Sequence, residues 1–294
     1  MAKATLVALA EYLADTKLPT TAKAWKGLRQ VGEYLSHLRA TEPMARNIVR
    51  WYLSELKIKL SQSSPNQATW LSLIKRIQND INYRLIEAEA AVSKHGRQLV
   101  KNKQIIFAHC HSSLAENILV TARKLGRKFQ VYHTETRPLF QGRITDDHLR
   151  QADIISTMVV DGAAAYLVSN HSGDEVEVSW VLLGADSVAR DGSVINKIGS
   201  FGIALAAYDS KIPVYVASTL FKLDWHRETK IELRSTQEIW PQASEQTKII
   251  NYAFDRIPAK YIKGIICEFG IIKPTQAVKL VKTHYPWLTQ PISH

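Results

Sequence analysis

Cysteine is scarce in this chain. Only Cys110 and Cys267 occur among 294 residues. Two thiols so far apart build no disulfide framework, so a reduced, cytoplasmic protein is expected. Long apolar runs are missing as well. No window approaches the roughly 18 consecutive apolar residues of a membrane span. The opening "MAKATLVALAEYLADTK" lacks a long apolar centre and reads as an amphipathic helix, not a signal peptide. No GxxxxGK[ST] loop is present, no GxGxxG follows the first strand, and no GxSxG elbow occurs. Those absences argue against a P-loop nucleotidase, a dinucleotide-binding enzyme and a serine hydrolase of the elbow type.

What is present is ordinary globular composition with a basic surplus. Apolar residues make up 46%, charged residues 22%, and the formal charge is +11. Such a surplus favours anionic partners, among them phosphorylated metabolites, nucleic acid and acidic protein surfaces. The charge is dispersed, with no long Lys/Arg block, no zinc-finger pattern and no aromatic/basic RNA-binding motif. Nucleic acid is therefore not expected.

Residues 1–100 carry apolar positions three and four apart in "LVALAEYLAD", "AWKGLRQVGEYLSHL", "ARNIVRWYLSELKIKL" and "WLSLIKRIQNDINYRLIEAEAAVSKHGRQLV". This spacing predicts helices. Ser64-Pro65-Asn66 reads as a loop. Near Lys101 the rhythm changes. The short apolar runs "QIIFAHC", "FQVYHTE", "DIISTMVVD", "VSWVLLGAD" and "IPVYVAS" alternate with helical segments. The expected architecture is α/β: a helical domain over 1–100, then a Rossmann-like domain over 101–294 with a doubly wound, mainly parallel sheet. The apolar tail "IICEFGIIKP" is expected to close the sheet and "TQAVKLVKTHY" to form a last helix.

Ligands of such sheets bind at the carboxyl ends of the strands. Here those ends read "HCHSS", "HTETRP", "VVDGAA", "GADSVARDGSVINK" and "ASTLFKLD", all polar or ionisable. The first poses a choice between metal clamp, nucleophile and pocket mouth. On a strand, His109 and His111 would point one way and Cys110 the other. A closed zinc site needs four ligands, and no second Cys/His pair has ligand spacing. No metal is expected. A lone strand-end cysteine is ordinarily an inert small hydrophobe. Beside a helix N-terminus, however, the dipole would lower its pKa and make it an acid–base group. Asp186 is either a cap for the next element or a site acid. Asn196 and Lys197, read at a helix start with free backbone N–H groups, suit a phosphate. Arg137 and Gln141 stand at another strand end, and Arg is the natural clamp for phosphate. Arg39, Thr41 and Arg46 lie in "HLRATEPMARN".

In order, "HLRATEPMARN", "FAHCHSS", "TETRPLFQGR", "GADSVARDGSVINKIGSFGIALAAY", "IPVYVAS" and "AFDRIPAKYI" resemble the translation initiation factor 2B alpha/beta/delta superfamily. That superfamily joins regulatory subunits of a nucleotide exchange factor with methylthioribose-1-phosphate and ribose-1,5-bisphosphate isomerases. The isomerases use a Cys in a "THC" segment and the Asp of "GAD"; Cys110 and Asp186 match. The compact helical region is more similar to ribose-1,5-bisphosphate isomerase. The resemblance implies an aldose–ketose isomerase acting on ribose 1,5-bisphosphate. Asp186 would be the proton donor and Cys110 the thiolate, while Arg39, Thr41, Arg137, Gln141, Asn196 and Lys197 hold phosphate and hydroxyls. It implies no cofactor, and a homodimer or a trimer of dimers. The alternatives are a methylthioribose-1-phosphate isomerase and a non-catalytic regulatory subunit. Two departures stand out. "RAT" replaces the family's "RPT", and His111 follows the cysteine where Asn is frequent.

Overall fold

The protein is described here from a computed structural model, over residues 2–16, 22–37, 41–62, 66–169, 176–225 and 231–290. Four helices come first: α1 (Ala2–Asp15), α2 (Ala22–His37), α3 (Pro43–Gln62) and α4 (Gln67–Gly96). Asn66 opens α4. Its backbone is extended, and its side chain accepts the Thr69 N–H at 2.9 Å, satisfying one of the orphan donors of the first turn. Ser64 and Pro65, the rest of the expected loop, lie outside the described residues. Apolar faces of α1, α3 and α4, including Leu9, Leu13, Ile48, Tyr52, Trp70 and Ile77, bury one another in a core of their own.

The strands begin after α4. In chain order the elements are β1 (Ile105–His109), α5 (Ser113–Lys124), β2 (Gln130–Thr134), α6 (Gln141–Gln151), β3 (Ile155–Val159), α7 (Ala164–Val168), β4 (Trp180–Leu183), β5 (Ser187–Ala189), β6 (Val194–Lys197), α8 (Ser200–Asp209), β7 (Val214–Ala217), β8 (Leu223–Asp224), β9 (Phe254–Ile257), β10 (Gly264–Cys267), β11 (Gly270–Ile272) and α9 (Ala277–His284). Seven strands form one sheet in the order β11-β10-β7-β4-β1-β2-β3. All its pairings are parallel except β10 with β11. Both faces of the central strands are covered, while the edge strand β3 exposes Ile155 and Met158. Phe107, Val181 and Leu183 belong to one apolar core, while Ile106, Ala108, Trp180 and Leu182 belong to the other. That split follows from the period of two along a strand.

Strand order reverses between β1 and β4. From β1 the chain runs outward through β2 and β3; from β4 it runs the other way through β7 and β10. This is the switch point where a crevice opens beyond the strand ends.

One expectation needs correcting. The segment "GADSVARDGSVINK" is not a plain strand-end loop leading into a helix. It folds as the antiparallel pair β5–β6 inside a second, four-stranded sheet of order β8-β5-β6-β9. The Asp191-Gly192 turn between them, with Gly192 at φ 82, is a hairpin signal.

The helices and the sheets are joined by named contacts. Trp51 of α3 stacks on Phe221 at 5.2 Å and on Trp287 at 5.0 Å between ring centres. Arg46 reaches Asp224 of β8 at 3.0 Å, with both side chains buried. Asn47 donates to the carbonyls of Phe221 and Leu223. These contacts fix the turn that carries Lys222. Among the described residues, no helix is long and apolar enough to cross a membrane.

Candidate active site

The crevice at the switch point is a cavity of about 330 Å³. Its walls include Cys110, His111, Ser112 and Ser113 after β1, and Gly184, Ala185 and Asp186 after β4. Asn196 and Lys197 of β6 also line it, with Gln141, Lys222, Arg234, Glu42 and Phe254. Asp186 and Lys222 continue into an adjoining cleft of about 290 Å³ between the helices and the sheet. A hollow of about 480 Å³ at the opposite ends of the strands holds Lys103, Arg123 and Asp153. Arg123 is already tied to Asp153 there, and no acid–base pair faces the hollow.

The register explains why Cys110 and Asp186 meet. His109 of β1 lies opposite Leu183 of β4. The residues just beyond those two strand ends therefore emerge side by side, although far apart in the chain. Close backbone approach is needed here. A Cβ at Gly184 would lie 2.7 Å from Ser112 Oγ. A Cβ at Gly142 would collide with the Thr134 carbonyl oxygen, so the glycine of "FQGR" lets α6 start against the end of β2.

Cys110 leaves the strand abruptly, at φ 67, and Thr136 and Phe140 nearby also take positive φ (60 and 52). Three non-glycine residues in this region beside one crevice mark stored backbone strain. The turn also undoes the alternation expected of "HCH". His109 and His111 do not share a direction. His109 is buried, with Nε2 at 2.9 Å from the Ile198 carbonyl and Nδ1 at 2.7 Å from Thr134 Oγ1. A carbonyl only accepts, so Nε2 carries the proton. Burial lowers the pKa of this ring, which leaves Nδ1 to accept from Thr134. Thr136 Oγ1 lies 2.9 Å from Thr134 Oγ1 and accepts the Cys110 N–H at 3.1 Å. Thr136 therefore donates to Thr134 and Thr134 to His109, a chain that pins the Cys110 backbone.

The Cys110 thiol donates to Gln141 Oε1 at 3.6 Å. Burial pushes it up to about 12; Lys197 opposes the rise, while Asp186 and Glu116 add to it. This direction is opposite to the one expected from a helix dipole. Desolvation is the largest of these effects and favours the neutral thiol.

Asn196 and Lys197 also sit differently from the expectation. They belong to β6, not to a helix start. The first amides of α8 are taken, because Asp255 Oδ2 accepts the N–H groups of Gly199 at 2.8 Å and Phe201 at 3.0 Å. The helix terminus that does face the cavity is that of α5. Ser112 caps it, accepting the Ala115 N–H, and Ser113 and Leu114 line the crevice. Its N-terminal dipole offers the anion position.

The remaining sequence candidates are scattered. Arg137 is exposed outside the lining, its guanidinium over the Phe140 ring at 4.9 Å. Thr41 is buried behind Glu42 and donates to Glu232 at 3.4 Å. Arg39 lies outside the described residues. The structure adds Lys222, whose Nζ donates to the Ala185 carbonyl at 2.6 Å next to Asp186, together with Arg234 and Glu42. Lys222 lay in the strand end "ASTLFKLD" and Glu42 in "HLRATEPMARN", although neither was singled out; Arg234 carried no sequence signal.

Beside the cavity, buried Glu116 collects three donors. His111 Nδ1 stands 2.6 Å from Oε1, His148 Nδ1 2.7 Å from Oε2, and Thr145 Oγ1 2.8 Å from Oε1. Among the described residues this is the one His/Cys/Asp/Glu group compact enough for a cation. Its short N–H···O contacts are those of a hydrogen-bonded triad, which satisfies the carboxylate without an ion.

The family model for the "Initiation factor 2 subunit family" matches residues 1–274. The chain is 30% identical over 298 aligned positions to "Ribose 1,5-bisphosphate isomerase" of Pyrococcus furiosus, covering 98% of this chain and 89% of that one. It is 31% identical to "Methylthioribose-1-phosphate isomerase" of Desulforamulus reducens, covering 87% and 78%. The fold superposes on the crystal structure of the Pyrococcus horikoshii OT3 translation initiation factor eIF-2B with a TM-score of 0.76. That match has 24% identity and covers 94% and 90% of the two chains.

Proposed function

This chain belongs to the initiation factor 2 subunit family, and within it we propose that it is an aldose–ketose isomerase of sugar 1-phosphates, with ribose 1,5-bisphosphate as substrate. The observation that carries the reading is the convergence of Cys110 and Asp186 on one cavity that also holds Lys197, Lys222 and the N-terminus of α5. Similarity to the ribose 1,5-bisphosphate isomerase of P. furiosus over nearly the whole chain supports the choice of sugar.

A 1-phosphate locks the sugar ring, since it blocks the anomeric hydroxyl. Isomerisation therefore starts with ring opening. Cys110, held as the thiol, protonates the ring oxygen as its bond to carbon 1 breaks; the forming alkoxide is the stronger base. The phosphate-bearing oxygen shares the positive charge left on carbon 1. Hydrogen then moves from carbon 2 to carbon 1, either as a hydride or as a proton carried by the new thiolate. In either mode the 2-hydroxyl loses its proton to the Asp186 carboxylate, and carbon 2 becomes the ketone. That proton returns to the sulfur and restores the pair. The roles of Cys110 and Asp186 are thus the reverse of those implied by the resemblance, because burial keeps the thiol protonated and bound phosphates would keep it so. Lys197, Asn196 and the α5 terminus hold the 1-phosphate.

Incubating the protein with ribose 1,5-bisphosphate and with methylthioribose 1-phosphate, and following ketose formation by ¹³C NMR, tests the reading. Turnover of the bisphosphate supports it. Turnover of the methylthio sugar alone moves the assignment to that branch, and turnover of neither removes the enzyme.

A further inference from the structure

We propose that His111 is a specificity-determining residue of this cavity, its Nε2 binding the second, distal phosphoryl group of a bisphosphorylated sugar. The inference rests on the isomerase reading and deepens it. Glu116 sets the orientation of the His111 ring. It is buried at the first turn of α5, and a buried carboxylate requires donors. His111, His148 and Thr145 supply three. Because His111 spends Nδ1 on Glu116, its ring is fixed in orientation and Nε2 points away from that carboxylate. No described residue accepts from Nε2, yet His111 lines the cavity. A ring held on one side by a carboxylate and open on the other presents a charge-assisted N–H donor to the ligand.

The charges around the cavity need such a donor. Arg234 is engaged by Glu238 on three contacts and approaches Glu232. Lys222 stands beside Asp186 and donates to the Ala185 carbonyl. Lys197, packed over the Phe254 ring, serves one phosphate. A sugar with a single phosphate is satisfied by Lys197 and the α5 terminus; a second phosphoryl group is not. The groups facing His111 are Glu116 of α5, His148 of α6, and across the cavity Lys197, Asp186, Glu42, Lys222 and Arg234. The Glu116 hydrogen bond raises the His111 pKa, so the cation persists further toward neutral pH than in a free histidine. His148 meets the other oxygen of Glu116 and is outside the cavity lining, which makes it the control.

The test compares ribose 1,5-bisphosphate with ribose 1-phosphate, by turnover and by equilibrium binding, with chelator present throughout. The wild type should prefer the bisphosphate. His111→Asn should weaken bisphosphate binding and raise its KM about 10- to 100-fold, the effect of losing one charge-assisted hydrogen bond, while ribose 1-phosphate loses much less. His148→Asn should keep the preference. An equal loss on both sugars, or a preference that survives in His111→Asn, overturns the inference and leaves the isomerase reading standing. A wild type that turns over ribose 1-phosphate as well as the bisphosphate overturns it too. If the wild type turns over neither sugar the isomerase reading falls, and if it also binds neither, both fall.

Discussion

The state of the Cys110 sulfur decides how the chemistry runs, and it can be measured. Burial moves the thiol from its ordinary 9.0 to about 12. Each tenfold change in acidity corresponds to about 1.4 kcal/mol, so forming the thiolate costs roughly 4 kcal/mol more than in an open peptide. At neutral pH its population is about a thousandfold smaller. Iodoacetamide reacts with thiolate. Alkylation of Cys110, localised by mass spectrometry, should therefore be slower than that of a small thiol by about 30- to 100-fold, because the greater nucleophilicity of a more basic thiolate offsets part of its scarcity. Cys267, also pushed up to about 12 by burial, should be silent as well. The kinetic counterpart is the pH profile of kcat/KM on ribose 1,5-bisphosphate. If Cys110 is the acid for ring opening, the profile shows no rising limb from this group at alkaline pH. If the thiolate is the required base, kcat/KM climbs tenfold per pH unit up to the alkaline limit. Such a climb, together with rapid alkylation at pH 7, would refute the acid assignment.

Cys110→Ser and Asp186→Asn should each lower turnover by about 10²–10⁴-fold while leaving substrate binding in place, and the double variant should lose less than the product of the two, since they act as a unit. Lys197→Ala should weaken substrate binding by about 1–3 kcal/mol in calorimetry; unchanged affinity removes it from the phosphate position. Arg46→Ala leaves Asp224 buried beside a cavity, and denaturant unfolding should show a loss of about 3 kcal/mol. His111 should titrate by NMR above the ordinary 6.5, because the Glu116 hydrogen bond raises it. Burial pushes Glu116 up, but the donors His111, His148 and Thr145 outweigh it and hold the carboxyl below its usual range. The pair thus stabilises the fold between those two pKa values. Its contribution is lost as pH rises through the raised His111 value and as pH falls through the lowered Glu116 value; Glu116→Gln should flatten both edges of the thermal-stability profile.

The sequence by itself determined the elements with strong periodicity. Apolar residues three and four apart wrote α1 to α4, and short apolar runs wrote β1, β2, β4 and β7, because burial of one face or both imposes a period on the chain; the run of β3 was equally visible, although that edge strand lies exposed. It also placed Cys110 and Asp186 at strand ends, since a polar residue after a buried run is visible without coordinates. The β5–β6 hairpin was less legible. Its strands are three and four residues long, too short for a period to show, although Asp191-Gly192 marked the turn.

Tertiary structure decided the rest. The order β4-β1-β2 put the ends of β1 and β4 side by side, and no local pattern encodes which strands become neighbours. The positive φ of Cys110 sent His109 and His111 in different directions, against the alternation a strand would impose. Asp255, far along the chain, took the amides of α8 and left the α5 terminus to face the crevice. Arg137 was the strand-end cation singled out and Lys222 was not, yet the first stands exposed over Phe140 while the turn of the second is fixed at the crevice by Arg46 and Asn47. Desolvation, a property of the whole surrounding fold, then favoured the protonated Cys110 sulfur. Helix and strand propensity act over a few neighbouring residues; the meeting of side chains and the dielectric around them depend on contacts across the entire chain.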